Sequence, residues 1–183
     1  MILYVNCCVR QNSRTDELAR EVLSRLGNEF TEIKPADEGL HPLTRDALER
    51  RTELQEKGEF DDPMFRWARQ FAAADIIVIA APFWDLSFPA ELKVYLENVC
   101  VTGIVFEYDA EGRPHGLCKA DKLYYVTTAG GRYVPNYSYD HIRELAKEYL
   151  GVKEVRLVLA EMLDIAGSDA SAILEQAKED IIL

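Results

Sequence analysis

Two hydrophobic periods alternate along this chain. Short runs rich in β-branched and aromatic residues occur at Ile2–Cys7, Phe30–Ile33, Ile76–Ala81, Lys122–Thr128 and Glu154–Ala160, each bounded by polar or turn residues. Between them apolar residues recur at helical spacing. Leu18, Val22 and Leu26 form one such face; Met64, Trp67, Ala68, Phe71 and Ala72 form a second. Phe88, Leu92, Tyr95, Leu96 and Val99 form a third, Ile142, Leu145, Ala146 and Tyr149 a fourth, and Ile173, Leu174, Ala177 and Ile181 a fifth. The run Ile76–Ala81 has no polar alternation, as in a strand covered on both faces. Five strands alternating with helices predict an α/β fold, doubly wound, with a parallel sheet and helices on both faces. Right-handed crossovers leave few arrangements, and the strand order 2-1-3-4-5 fits the count.

The breaks in the pattern refine this picture. Ser13 followed by Asp16 reads as a helix-opening capping pair, Pro89 as the first turn of the helix after the central strand, and Ser168 as the cap of the last helix. A helix is expected over Asn136–Leu150, closed by Gly151. Thr44–Lys57 is helical but highly charged, and reads as an insertion that covers an edge or meets a partner subunit. Asp109–Pro114 is turn chemistry, which predicts a small hairpin between Val105 and Leu117.

Length and composition narrow the class. The 183 residues suit one domain, 1–183, and no linker or repeat divides them. With 48% hydrophobic and 29% charged residues the chain is neither disordered nor fibrous. A net charge of −11 spread along the chain argues against a nucleic-acid surface, which needs a basic face. No apolar run is long enough for a membrane span, and the N-terminus reads directly as a strand with no leader pattern, so a cytoplasmic protein is expected. Cys7, Cys8, Cys100 and Cys118 have neither disulfide nor zinc spacing. They read as reduced core thiols, with Cys7 or Cys8 lining a ligand loop as the alternative.

In that strand order three loops meet at the carboxyl ends of strands one, three and four, where open α/β sheets bind ligands. The first, Val9–Thr15, carries Arg10, Ser13, Arg14 and Thr15 before a helix N-terminus, a place suited to phosphate. It is also compatible with an ordinary cap flanked by surface arginines. The second, Pro82–Pro89, carries Phe83, Trp84, Asp85, Leu86 and Phe88. It is too apolar for an idle turn, and serves either as a wall for a flat ligand or as packing under a neighbouring element. The third, Thr127–Tyr133, offers the hydroxyls of Thr127 and Thr128 and the exposed backbone of Gly130 and Gly131. A ligand with a phosphate at one end and a heteroaromatic ring at the other matches all three, and FMN is such a ligand.

These motifs also carry a resemblance. CVRQNSRTDELA, APFWDLSFPAELKVYLENV with the following VTGIVFEY, and VTTAGG resemble the flavodoxin-like NAD(P)H:quinone oxidoreductases and FMN-dependent NADH-azoreductases over essentially the whole chain. Gly103 and Phe106 match the Gly-x-x-Phe that follows the central helix. The resemblance implies a flavodoxin-like fold, bound FMN rather than FAD, NADH or NADPH as hydride donor, and a homodimer with sites at its interface. It also implies two-electron, ping-pong reduction of quinones or azo compounds, and the expected partner is a small aromatic acceptor, a quinone, azo or nitro compound. Carried over by position, Ser13, Thr15 and Arg10 match the phosphate loop. Pro82, Phe83, Trp84 and Asp85 match the loop along the ring edge, and Thr127, Thr128, Gly130 and Gly131 the pyrimidine end. Asp85 stands where azoreductases often have Asn, and an acid there disfavours an anionic reduced ring unless its backbone makes the contact. Phe83, Trp84 and Tyr133 are expected to wall the acceptor cavity. Tyr133 and His141 are the candidate proton donors, with His141 otherwise a packing residue. The alternatives in other classes are a flavodoxin-type electron carrier and a non-catalytic flavin-binding regulatory protein.

Overall fold

The central apolar run, Ile76–Ala80 (β3), is the middle strand of a five-stranded sheet, and its unbroken hydrophobicity follows from cover on both sides. The computed structural model describes residues 1–183. Ile2–Asn6 (β1) pairs with Phe30–Ile33 (β2) and with β3. Lys122–Thr128 (β6) pairs with β3 and with Glu154–Ala160 (β7), and all four ladders are parallel. The order is β2-β1-β3-β6-β7. The expected order 2-1-3-4-5 is therefore present once the separate antiparallel hairpin Phe106–Tyr108 (β4) and Pro114–Gly116 (β5) is set aside.

Successive strand residues point to opposite faces, and each face has its own core. Tyr4, Val78, Ala80, Tyr124 and Val126 pack with Leu18, Val22 and Leu23 of Arg14–Leu26 (α1) and Leu174 of Ala170–Glu179 (α6). Leu3, Val5, Ile77, Ile79, Leu123 and Tyr125 pack on the other side. There they meet Phe71 of Arg66–Ala73 (α3), Leu92, Tyr95 and Leu96 of Ala90–Val99 (α4), and Ile142 of Tyr139–Glu144 (α5). Each fully buried leucine or isoleucine contributes about 1.5–3 kcal/mol, so these two layers, rather than ion pairs at the surface, hold the sheet.

Several boundaries differ from the sequence expectation. Asp16 does not cap α1: its carboxylate takes hydrogen bonds from Tyr4, Asn6 and Arg20, and Ser13, though the N-cap, makes no side-chain cap bond. Pro89 is the N-cap of α4 rather than part of its first turn. The last helix is capped by Asp169, which accepts from the amides of Ser171 and Ala172, while Ser168 donates to Ile165 in a preceding turn. The helix expected from Asn136 begins at Tyr139, because the Pro135 carbonyl accepts from Ser138 and Asp140 and closes a turn first; α5 then runs on as a π-helical turn, Leu145–Tyr149.

The charged segment is helical at Arg45–Lys57 (α2), capped by Thr44, whose hydroxyl accepts from the Ala47 amide. Leu54 is its one buried residue. Arg51 donates to the carbonyls of Glu97 and Cys100, and Gln55 to that of Thr102. The helix thus covers the end of α4 largely through polar bonds. Beside it the Phe60 ring lies against Gly103, where a Cβ would come within 2.7 Å of the ring and φ is +88°.

Candidate functional site

At the carboxyl edge of the sheet the loops after β1, β3, β6 and β7 enclose a cleft of about 420 Å³. The loop after β1 leads into α1, whose first internal bond runs from Glu17 N–H to the Ser13 carbonyl. The amides of Arg14 and Thr15 precede that bond and have no backbone acceptor, and Ser13 leaves its hydroxyl free of cap duty. Val9, Arg10, Gln11, Asn12, Ser13, Arg14 and Thr15 line this end of the cleft. A helix N-terminus with free amides and the positive end of the helix dipole suits an anion.

Pro82, Phe83 and Trp84 form the opposite wall. The Phe83 amide donates to the Thr128 carbonyl, and its ring meets Tyr133 edge-on at 4.8 Å. Beyond Trp84 the chain makes a two-residue turn: Trp84 and Ser87 exchange both backbone bonds, at 3.1 and 2.7 Å. Asp85 and Leu86 both have positive φ, 49° and 64°, the pattern of a type I′ turn. Their side chains are exposed, so the Asp85 carboxylate is turned to solvent. The Ser87 hydroxyl ties the turn to the Tyr137 carbonyl.

Thr128, Ala129 and Gly130 form the floor. The hydroxyls of Thr15 and Thr128 lie 2.6 Å apart, so the first and third loops are joined inside the cleft. Gly130 and Gly131 donate to no backbone carbonyl, while their own carbonyls accept from Asp164 and Met162.

Five expected residues lie outside this lining. Thr127 is fully buried on the face behind, with its hydroxyl unpartnered, because strand alternation that points Thr128 to the cleft turns Thr127 away. Asp85 and Gly131 flank the cleft without lining it. The Tyr133 hydroxyl points inward: it pairs with Ser138 Oγ at 2.8 Å and accepts from the Tyr139 amide, and burial pushes its pKa up. His141 lies against Phe88, and burial together with Lys93 lowers its pKa. Neither candidate proton donor therefore reaches the cleft.

The fourth loop escaped the sequence reading. Leu163 and Asp164 line the cleft, and Arg14 donates to the Leu163 carbonyl and, at 2.7 Å, to Asp164. The signal was available, since a fifth strand beside the fourth places its carboxyl-end loop at the same edge. The Cys8 sulfur sits under the first loop, near the Ser13 hydroxyl and the Asp16 amide; burial, the larger effect, still raises its pKa to about 11. Burial likewise raises Cys7, and raises Cys100 and Cys118 to about 11 and about 12. All four cysteines are unpaired, protonated thiols at neutral pH.

The donor set fits FMN, with free amides and hydroxyls at the start of α1, aromatic rings along one wall and the Gly130 amide in the floor. Comparison with known proteins agrees. The sequence model of the flavodoxin-like fold family matches residues 1–182. An FMN-dependent NADH:quinone oxidoreductase 2 from Clostridium acetobutylicum is 36% identical over 191 residues, covering 93% of this chain and 94% of that one. The crystal structure of an azoreductase from Bacillus anthracis str. Sterne superposes with a TM-score of 0.84 at 22% identity, over 98% of this chain and 95% of that one. An FMN-dependent NADH-azoreductase from Bacillus anthracis str. Ames Ancestor, solved in complex with FMN, gives 0.80 at 21% identity, over 98% and 94%.

Proposed function

The chain belongs to the flavodoxin-like family, and from that membership we propose that it is an FMN-dependent NAD(P)H oxidoreductase reducing quinones, azo compounds or similar small aromatic acceptors. The observation that carries this reading is one cleft holding both the free amides of α1 and the rings of Phe83 and Trp84. Bound FMN would supply the two-electron redox chemistry, taking hydride from NADH or NADPH and giving it to the acceptor in a ping-pong cycle.

The protein's own part is binding and orientation. Ser13, Thr15 and the amides of Arg14 and Thr15 hold the phosphate, with Arg10 at the rim. Phe83 and Trp84 flank the ring and shape the space an acceptor enters. The Gly130 amide would donate to the ring's polar edge, where negative charge collects on reduction, with Gly131 beside it at the margin of the cleft. No helix is long and apolar enough to cross a membrane. The unpaired thiols favour the reducing cytoplasm. Leu86, Tyr137 and Ile165, exposed at the carboxyl edge, favour a homodimer formed across the cleft mouth.

The deciding experiment is the visible spectrum of the purified protein before and after anaerobic NADH or NADPH. Flavin bands that bleach without a semiquinone and return on adding a quinone support the oxidoreductase. Flavin that binds but does not bleach points to a flavodoxin-type carrier or a flavin-binding regulator. A colourless protein that ignores added FMN overturns the reading.

A further inference from the structure

The first loop of the cleft has little to hold it. Val9, Arg10, Gln11 and Asn12 are exposed, their amides donate to no backbone carbonyl, and Asn12 has φ of +56°. Order must therefore come from the loop's ends. At the β1 end the Cys7 amide donates to Ala80, and the Cys8 amide donates at 3.0 Å to Oδ1 of Asn6. Asn6 is 4% exposed and every polar position of its side chain is used. Its Nδ2 donates to Asp16 Oδ1 at 2.9 Å and to Glu32 Oε1 at 2.8 Å. Asp16, in the first turn of α1, also accepts from the Tyr4 hydroxyl at 2.5 Å and from Arg20 Nε at 2.9 Å.

An acid at the third helical position ordinarily turns back to the N-cap amide. Here it is withdrawn into a network that spans β1, β2 and α1. The withdrawal does two things. It leaves the Ser13 amide, next to the free amides of Arg14 and Thr15, open to an anion, and it aligns Asn6, which directs the chain as it leaves β1.

We propose that Asp16 and Asn6 are the positioning residues of the phosphate end of the cleft, acting through the Cys8 amide and the first turn of α1 without touching the ligand. This inference rests on the FMN reading above. It runs against simple electrostatics, since a carboxylate beside an anion site repels the anion. The sign of a charge-neutralising substitution therefore separates the two effects.

The test compares FMN with riboflavin, which lacks the phosphate, by flavin fluorescence titration of the full chain. In Asp16→Ala and in Asn6→Ala, FMN affinity falls about tenfold, the weight of one hydrogen bond made by a charged group, while riboflavin affinity stays within about twofold. Asp16→Asn keeps an oxygen for Tyr4 and Asn6, folds as an isostere, and retains most of the FMN preference. The double variant Asn6→Ala/Asp16→Ala loses no more than either single one, because both act on one network. Equal losses for both flavins, or tighter FMN binding in Asp16→Asn, would overturn the proposal while leaving the FMN site intact. A wild-type chain that binds neither flavin overturns the site itself, and this inference with it.

Discussion

Thr15 and Thr128 share a hydrogen bond of 2.6 Å between hydroxyls carried by different elements, the start of α1 and the end of β6. Thr15 is 1% exposed, so its oxygen has little water to fall back on. Thr128→Val leaves it unpaired and lowers stability by about 1–3 kcal/mol. Thr15→Val/Thr128→Val removes both polar partners and recovers most of that loss. Urea unfolding of the two variants checks this, and a double variant less stable than the single one would refute it.

Trp84 lines the aromatic wall of the cleft. Trp84→Ala is expected to raise the KM for a simple quinone by about tenfold through lost apolar contact, with a smaller loss of FMN affinity. Steady-state kinetics beside a flavin titration separate the two, and unchanged quinone kinetics would remove Trp84 from the acceptor's surroundings.

Tyr133 works as a latch. Its ring supports Phe83, its amide donates to Glu161, and its hydroxyl is held by Ser138. Tyr133→Phe keeps the ring, so kcat stays within about twofold while stability falls by about 1 kcal/mol. A tenfold fall in kcat at unchanged stability would restore it as a proton donor.

Leu86 occupies the left-handed region at a cost of about 1–2 kcal/mol. Leu86→Gly relieves that cost and raises the unfolding midpoint, provided the Trp84–Ser87 pair closes the same turn. A lowered midpoint would mean that the exposed Leu86 side chain contributes more than its backbone costs.

Asp75 pairs with Lys119 at 2.5 Å and with the N-terminal ammonium, and these partners hold its carboxyl down at about 2, below the usual value. A depressed acid contributes stability above its unfolded pKa and loses it as pH falls through the folded one. The contribution is therefore complete above about pH 4, fades toward pH 2, and is small because the groups are exposed. Asp75→Asn should flatten the difference in stability between pH 4 and pH 2, measured by denaturant unfolding at each pH.

The sheet order could be read from the chain because each strand repeats the same cue, a short β-branched run closed by turn residues. The three loops followed from the order. What stayed hidden was decided across the sheet. Asp16 sits at a capping distance from Ser13, yet Tyr4, Asn6 and Arg20 outbid the helix for its carboxylate. Thr127 and Thr128 are adjacent hydroxyls in the sequence, and only the pleat separates the one that faces the cleft from the one behind it. Tyr133 looks like a donor in a glycine-rich loop until Ser138 turns its hydroxyl inward.

The attachment of α2 has a consequence for motion. A helix with one buried side chain and three bonds to carbonyls has little apolar area to lose by leaving. Such a unit opens by itself, at a free-energy cost well below that of unfolding the sheet. Its amides exchange with solvent deuterium long before those of β3, and the cover over α4 breathes while the cleft at the far end of β3 stays formed.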